Sequence, residues 1–149
     1  MSKIAIRHSS NPIQFTYYFR EESMQKKLDV LLIDDEKIVG ARLKTALVKV
    51  GYNVEVFQNP KEVLSRINEK EFDVIVTDIV MEEVNGIQIL EKVRQKSNRS
   101  KVIIMTGYAT VSLAREAMYK GAFDIIEKPF LPTDLQTVIA SAAKELSLT

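Results

Sequence analysis

The sequence predicts an α/β protein: a doubly wound, five-stranded parallel sheet in the order 2-1-3-4-5, with helices on both faces. Three observations carry that prediction. Short apolar runs bounded by charge, VLLI at 30–33 and VIVT at 74–77, read as strands buried on both faces. Segments with apolar residues at helical spacing follow such runs in a regular alternation from residue 28 onward. The first and third runs end in carboxylates, Asp34 with Asp35 and then Asp78, at the strand ends where open α/β sheets bind ligands.

In order, the first strand is expected at 28–33. A helix follows over 36–50, with Ile38, Val39, Leu43, Ala46, Leu47 and Val50 at helical spacing. Gly51 is a natural residue to end it, because glycine accepts a left-handed backbone. The second strand is read at 53–57, and Asn59 then caps a helix whose first position is Pro60. That helix runs to about residue 68 on Val63, Leu64 and Ile67. The third strand, 73–77, leads through a loop at 78–86 into a helix that buries Ile87, Leu90 and Val93. The fourth strand, 102–105, is wholly apolar and is followed by Thr106-Gly107-Tyr108 and a helix over 110–120, closed by Gly121. The fifth strand, 123–126, leads through Lys128-Pro129-Phe130 into a last helix from Pro132. Its Leu135, Val138, Ile139, Ala142 and Leu146 need a core to lie against. Parallel strands joined by helices take right-handed crossovers, which clothes both faces of the sheet.

Residues 1–25 read as a leader of unassigned role, and 26–149 as one domain. His8-Ser9-Ser10-Asn11-Pro12 breaks any early strand. Phe15, Tyr17, Tyr18 and Phe19 could pack on a partner; a poorly ordered leader is the plainer expectation. His8, the only histidine, lies there, so the body of the domain has no histidine base or metal ligand.

Composition narrows the function classes. The chain is 149 residues long, 46% hydrophobic and 28% charged, ordinary for a globular protein. Its formal charge of +1 predicts no nucleic-acid or membrane partner. Residues 1–27 carry five basic and two acidic groups, and 28–149 carry sixteen and eighteen, so the acidic excess lies in the domain. The absence of cysteine rules out disulfides and thiolate metal sites. No apolar run approaches the ~20 residues of a membrane span, and no signal-peptide pattern opens the chain. A cytoplasmic location is expected by elimination.

The predicted topology gathers Asp34, Asp35, Asp78, Thr106 and Lys128 at one edge of the sheet, because strands 1 and 3 are neighbours. Three carboxylates so close repel one another unless a cation joins them, and an all-oxygen set favours a hard ion such as Mg²⁺. Asp35 and Asp78 can supply oxygens to it, and Asp34 can act directly or through water. Lys128 is a point charge suited to a phosphoryl oxygen, and Thr106 offers a hydroxyl donor. Asp78 is the expected phosphoacceptor, since carboxylates form aspartyl phosphates. With no glycine-rich cradle, the site suits one phosphoryl group rather than a nucleotide. Taken singly, each residue also has a plain reading as a cap, a turn or solvated surface. Their convergence after consecutive core strands is what sets them apart.

At these residues the chain resembles the bacterial two-component response-regulator receiver domain, over about residues 26–146. The matching pieces are VLLIDDE at 30–36, VIVTDIVMEEVNG at 74–86, VIIMTGYA at 102–109 and GAFDIIEKPF at 121–130. The resemblance implies a flavodoxin-like receiver fold and a phosphorelay. Asp78 would take a phosphoryl group from a sensor histidine kinase or phosphotransfer protein, and small phosphodonors could replace the kinase. Mg²⁺ would be held by Asp34, Asp35, Asp78 and the backbone carbonyl of Val80. Thr106 and Lys128 look like the family's switch hydroxyl and phosphate-binding lysine. The domain would catalyse its own phosphorylation and dephosphorylation without being a turnover enzyme.

Two positions depart from the family pattern. Glu82 and Glu83 follow Met81 where Pro and Gly are common, which adds negative charge near the pocket mouth. Ile125 stands three before Lys128, where Tyr or Phe usually swings inward, so switching would rely on Tyr108 or Phe123 or be weakly coupled. The last two helices and the strand between them are the expected output surface, which would pair with a second copy, as a homodimer, or with an effector. The chain reads either as a free-standing receiver or as the front of a longer regulator, without direct nucleic-acid binding by this segment. Two rival readings stay open: a Mg²⁺-dependent phosphatase, and a degenerate receiver that only binds protein.

Overall fold

A computed structural model of the chain describes residues 26–107 and 110–147. The expected leader at 1–25, with His8 and its aromatic cluster, lies outside the described residues, as does Tyr108.

The strands are β1 (Asp29–Ile33), β2 (Asn53–Phe57), β3 (Val74–Asp78), β4 (Lys101–Thr106) and β5 (Asp124–Glu127). The helices are α1 (Lys37–Lys49), α2 (Pro60–Glu69), α3 (Gly86–Lys96), α4 (Val111–Tyr119) and α5 (Pro132–Ser147). The strands form one sheet in the order β2-β1-β3-β4-β5, all pairs parallel. This is the order read from the sequence.

Strand pleating explains the layers, because successive side chains point to opposite faces. Leu31, Ile33, Ile75, Val102 and Ile104 face one side, packed with Val63 and Ile67 of α2, Ile87 and Leu90 of α3, and Ala114 and Ala117 of α4. Val30, Leu32, Val74, Val76, Ile103 and Met105 face the other, packed with Leu43 and Leu47 of α1 and Leu135, Ile139 and Ala142 of α5. The central stretches of β1, β3 and β4, residues 30–33, 74–76 and 102–105, are therefore wholly apolar, each side chain removing surface from water at roughly 25 cal/mol per Å². The edge strands β2 and β5 are only partly buried.

Helix ends follow the local chemistry. Asn59 accepts a hydrogen bond from the Lys61 N–H at 2.9 Å and places Pro60 at the first position of α2. Asn85 and Gln88 form a reciprocal capping box on α3. Gly51, just past α1, has φ 102°, the left-handed value that favours glycine.

Two placements go beyond what the sequence pattern specifies. The apolar residues of α1 do not share one buried face: Ile38 is 80% exposed and Val50 is 50% exposed, while Gly40, Leu43 and Leu47 are buried. Gly40 brings α1 close to β2, with its Cβ position 3.0 Å from the Val56 side chain, and that approach rotates the buried stripe onto Gly40, Leu43 and Leu47. Phe123, an alternative switch aromatic, precedes β5 at the end of the strand opposite Lys128, with the Lys101 ammonium 5.8 Å from its ring centre.

Candidate functional site

Backbone ladders carry the site residues. Ile33 pairs with Thr77, so the next residues, Asp34 and Asp78, emerge side by side. The ladder bonds continue past the strands: Asp34 N–H donates to the Phe57 carbonyl at 3.1 Å, Ile79 N–H to Met105 at 3.0 Å, and Lys128 N–H to Thr106 at 2.7 Å. Asp34, Asp78, Thr106 and Lys128 thus hang from backbone positions held on at least one side. Asp78 and Thr106 are the last residues of their strands rather than the first residues after them.

Asp34, Asp35 and Asp78 each place a carboxylate oxygen within 4.8 Å of the others. Asp34 is fully buried, Asp78 partly buried and Asp35 exposed. One Asp34 oxygen accepts the Glu36 N–H at 2.9 Å, and the other accepts the Lys128 ammonium at 3.1 Å. Lys128 also donates to Asp78 Oδ2 at 2.9 Å. The lysine expected to meet a phosphoryl group therefore bridges two of the carboxylates.

The electrostatics are frustrated. Burial pushes the Asp78 carboxyl above the usual carboxylate range; Lys128 pulls it down, and the charges of Asp34 and Asp35 add to the rise. Burial disfavours the Lys128 ammonium, but its hydrogen bonds to Asp78 and Asp34 outweigh that and hold its pKa above the ordinary lysine value. Three carboxylates face one ammonium, which leaves an excess of negative charge that a divalent cation would balance. The all-oxygen donor set, with one acid open to solvent, fits Mg²⁺, which binds through one or two carboxylates and keeps several waters.

Thr106 is nearly buried, and its hydroxyl is engaged with Thr110 rather than with Asp78 or Lys128. Val80 lies in the loop after β3 with its side chain half exposed. Met81 and Val84 of the same loop are buried in the core, which anchors it. Glu82 is exposed, and Glu83 pairs with Lys61 at 2.9 Å, so one of the two loop acids expected to repel an anionic donor is partly neutralised. Ile125 is partly buried against the layer that includes α3 and α4.

Two residues that shape the site were not singled out from the sequence. Gly86 opens α3 against the backbone of Asp78 and Ile79, and its N–H donates to the Ile79 carbonyl at 2.9 Å. The Asn-Gly pair after the loop was the available signal. Thr110 carries no sequence signal beyond a plain helix-capping residue.

The family model for the response regulator receiver domain matches residues 30–140. Among curated proteins, the regulatory protein AtoC of Escherichia coli (strain K12) is 35% identical over 119 residues, covering 80% of this chain and 26% of that protein. The transcriptional regulatory protein FixJ of Bradyrhizobium diazoefficiens is 32% identical over 122 residues, covering 82% of this chain and 60% of that protein. The chain thus spans about a quarter of the length of AtoC and three-fifths of FixJ. Among solved structures, a receiver domain protein from Clostridium thermocellum superposes with TM-score 0.77 at 31% identity, covering 81% of this chain and 98% of that one. A CheY-like receiver domain protein from Methanospirillum hungatei gives 0.78 at 29% identity, covering 82% and 98%. Among the described residues, no helix is long and apolar enough to cross a membrane. The family match runs from within β1 through β5 and takes in the acidic cluster, Thr106 and Lys128, and the chain belongs to the response regulator receiver domain family.

Proposed function

We propose that this receiver domain accepts a phosphoryl group on Asp78 from a phosphohistidine of a sensor histidine kinase or phosphotransfer protein. The observation that carries the reading is the Asp78 carboxylate, partly buried, flanked by two further acids and bonded to Lys128. An Asp78 oxygen attacks phosphorus, the phosphorus–nitrogen bond breaks, and its electron pair returns to the imidazole, which takes a proton from solvent. Lys128 turns from the carboxylates to the phosphoryl oxygens, and the Thr106 hydroxyl donates to another. Asp34, Asp35, Asp78 and the Val80 carbonyl would hold Mg²⁺. When bound, the ion supplies positive charge to the phosphoryl oxygens as their charge develops.

Phosphorylation adds a phosphoryl group to one carboxylate oxygen, which changes the local charge by about −1 and supplies new acceptor oxygens. Thr106 ends β4, which leads into α4, and Lys128 directly follows β5, which leads into α5, so their movement biases that face. Exposed Val111, Met118 and Tyr119 on α4 support its reading as the output surface, toward a second copy or an effector. The change is a population shift, no larger than the phosphate's preference for one arrangement over the other.

Intact mass after acetyl phosphate and Mg²⁺ tests the site. One added phosphoryl group is expected in the wild type and none in Asp78→Asn. No gain, or an equal gain in the variant, overturns the assignment. Turnover of a small phosphomonoester without a protein-bound phosphate would favour a phosphatase.

A further inference from the structure

We propose that Thr110 is a positioning residue, whose hydroxyl holds the Thr106 hydroxyl away from the acidic pocket until a phosphoryl group competes for it. The proposal rests on Asp78 as phosphoacceptor. Thr110 stands at the N-cap position of α4, yet its side chain makes no cap hydrogen bond to that helix. Its hydroxyl turns back into the loop instead. It donates to the Gly107 carbonyl at 2.9 Å and accepts the Gly107 N–H at 3.1 Å. It also meets the Thr106 hydroxyl.

A hydroxyl has one proton and two lone pairs. Thr110 spends its proton on Gly107 and one lone pair on the Gly107 N–H. Thr110 is the nearer of the two hydroxyls to the Gly107 carbonyl, at 2.9 Å against 3.2 Å, which leaves its second lone pair for Thr106 and favours Thr106 as the donor of that pair. The Thr106 proton is therefore committed to Thr110, with the Gly107 carbonyl at 3.2 Å as the other acceptor in reach. A phosphoryl group on Asp78 offers acceptors only. Thr106 can serve it only by withdrawing its proton from Thr110. The exchange trades a neutral hydroxyl pair for a charge-assisted bond, about twice as strong, so it runs toward phosphate at a cost that Thr110 sets.

Titration with beryllofluoride in saturating MgCl₂, followed by calorimetry, tests the assignment. Thr110→Val removes the hydroxyl at constant shape and should tighten binding about fivefold, the worth of one neutral hydrogen bond. Thr110→Ser keeps the hydroxyl and should match the wild type. In a Thr106→Ala background, Thr110→Val should leave the affinity unchanged, because the coupling has lost its other partner. A merely structural role for Thr110 would shift both backgrounds alike. Thr110→Ala serves the same cycle if the valine variant misfolds. Wild-type binding with unchanged or weaker affinity in the Thr110 variants, or an equal shift in both backgrounds, overturns the proposal alone. No binding by the wild type overturns the phosphoacceptor reading, and this proposal with it.

Discussion

Gly86 opens helix α3 so close to Asp78 that a Cβ there would stand 2.6 Å from the Asp78 carbonyl oxygen and 2.9 Å from the Ile79 Cα. Both neighbours are backbone, so neither can swing aside. The glycine lets the start of a helix press against the strand end that carries the reactive carboxylate.

Gly86→Ala should therefore destabilise the domain by about 1–3 kcal/mol, as overpacking at a closed contact does. Scanning calorimetry should show Tm lower by several degrees, and acetyl phosphate should label Asp78 more slowly. A variant that melts with the wild type would mean that α3 can retreat without cost.

Lys128→Met removes the ammonium that bridges Asp34 and Asp78 and leaves the buried Asp34 with no cation. In EDTA the variant should lose about 2–4 kcal/mol, because an uncompensated buried charge is expensive. Millimolar Mg²⁺ should restore more stability to the variant than it adds to the wild type, since metal and lysine serve the same carboxylates. Thermal melts with and without MgCl₂ measure both effects; equal metal stabilisation in the two proteins would refute the shared role.

Glu83 has φ 67°, in the region where L residues pay a steric penalty. Its salt bridge to Lys61 is exposed and contributes little. Glu83→Gly should thus stabilise the fold by about 0.5–1 kcal/mol despite losing the pair. Urea denaturation would reveal it as a higher midpoint at unchanged slope.

Acid stability has a local handle at the sheet edge. Glu55 on β2 receives Arg66 Nε at 2.9 Å and a terminal Arg66 nitrogen at 3.0 Å. Those hydrogen bonds outweigh burial and hold its carboxyl below the usual glutamate range. A carboxyl with a folded pKa below its unfolded one stabilises the fold above the unfolded pKa, and the contribution is lost as pH falls through the folded pKa. Glu55→Gln should be less stable than the wild type at neutral pH, and the two should converge in acid. Urea midpoints across that range test the sign; a gap that persists in acid would assign the loss to packing instead.

Much of this was legible in the chain. Apolar runs ending in Asp34 and Asp78 announce parallel strands and a shared edge, because strand burial and strand-end chemistry are written in consecutive residues. The sequence pattern stops these strands one residue short of Asp78 and Thr106, because a neighbouring strand supplies the bonds that extend them. The exposure of Ile38 was hidden for a related reason. Helical spacing shows that apolar faces exist, and only the approach of α1 to β2 at Gly40 selects which one is buried.

The sequence by itself determined the layered parallel architecture, its strand order and the set of acids, hydroxyl and lysine at one edge, since periodicity and punctuation are local properties. Only the tertiary structure decided that Lys128 spans Asp34 and Asp78, that Gly86 presses on the Asp78 backbone, and that the Thr106 hydroxyl meets that of Thr110. Those are contacts between separately delivered segments, and their distances depend on how the helices and loops settle against the sheet.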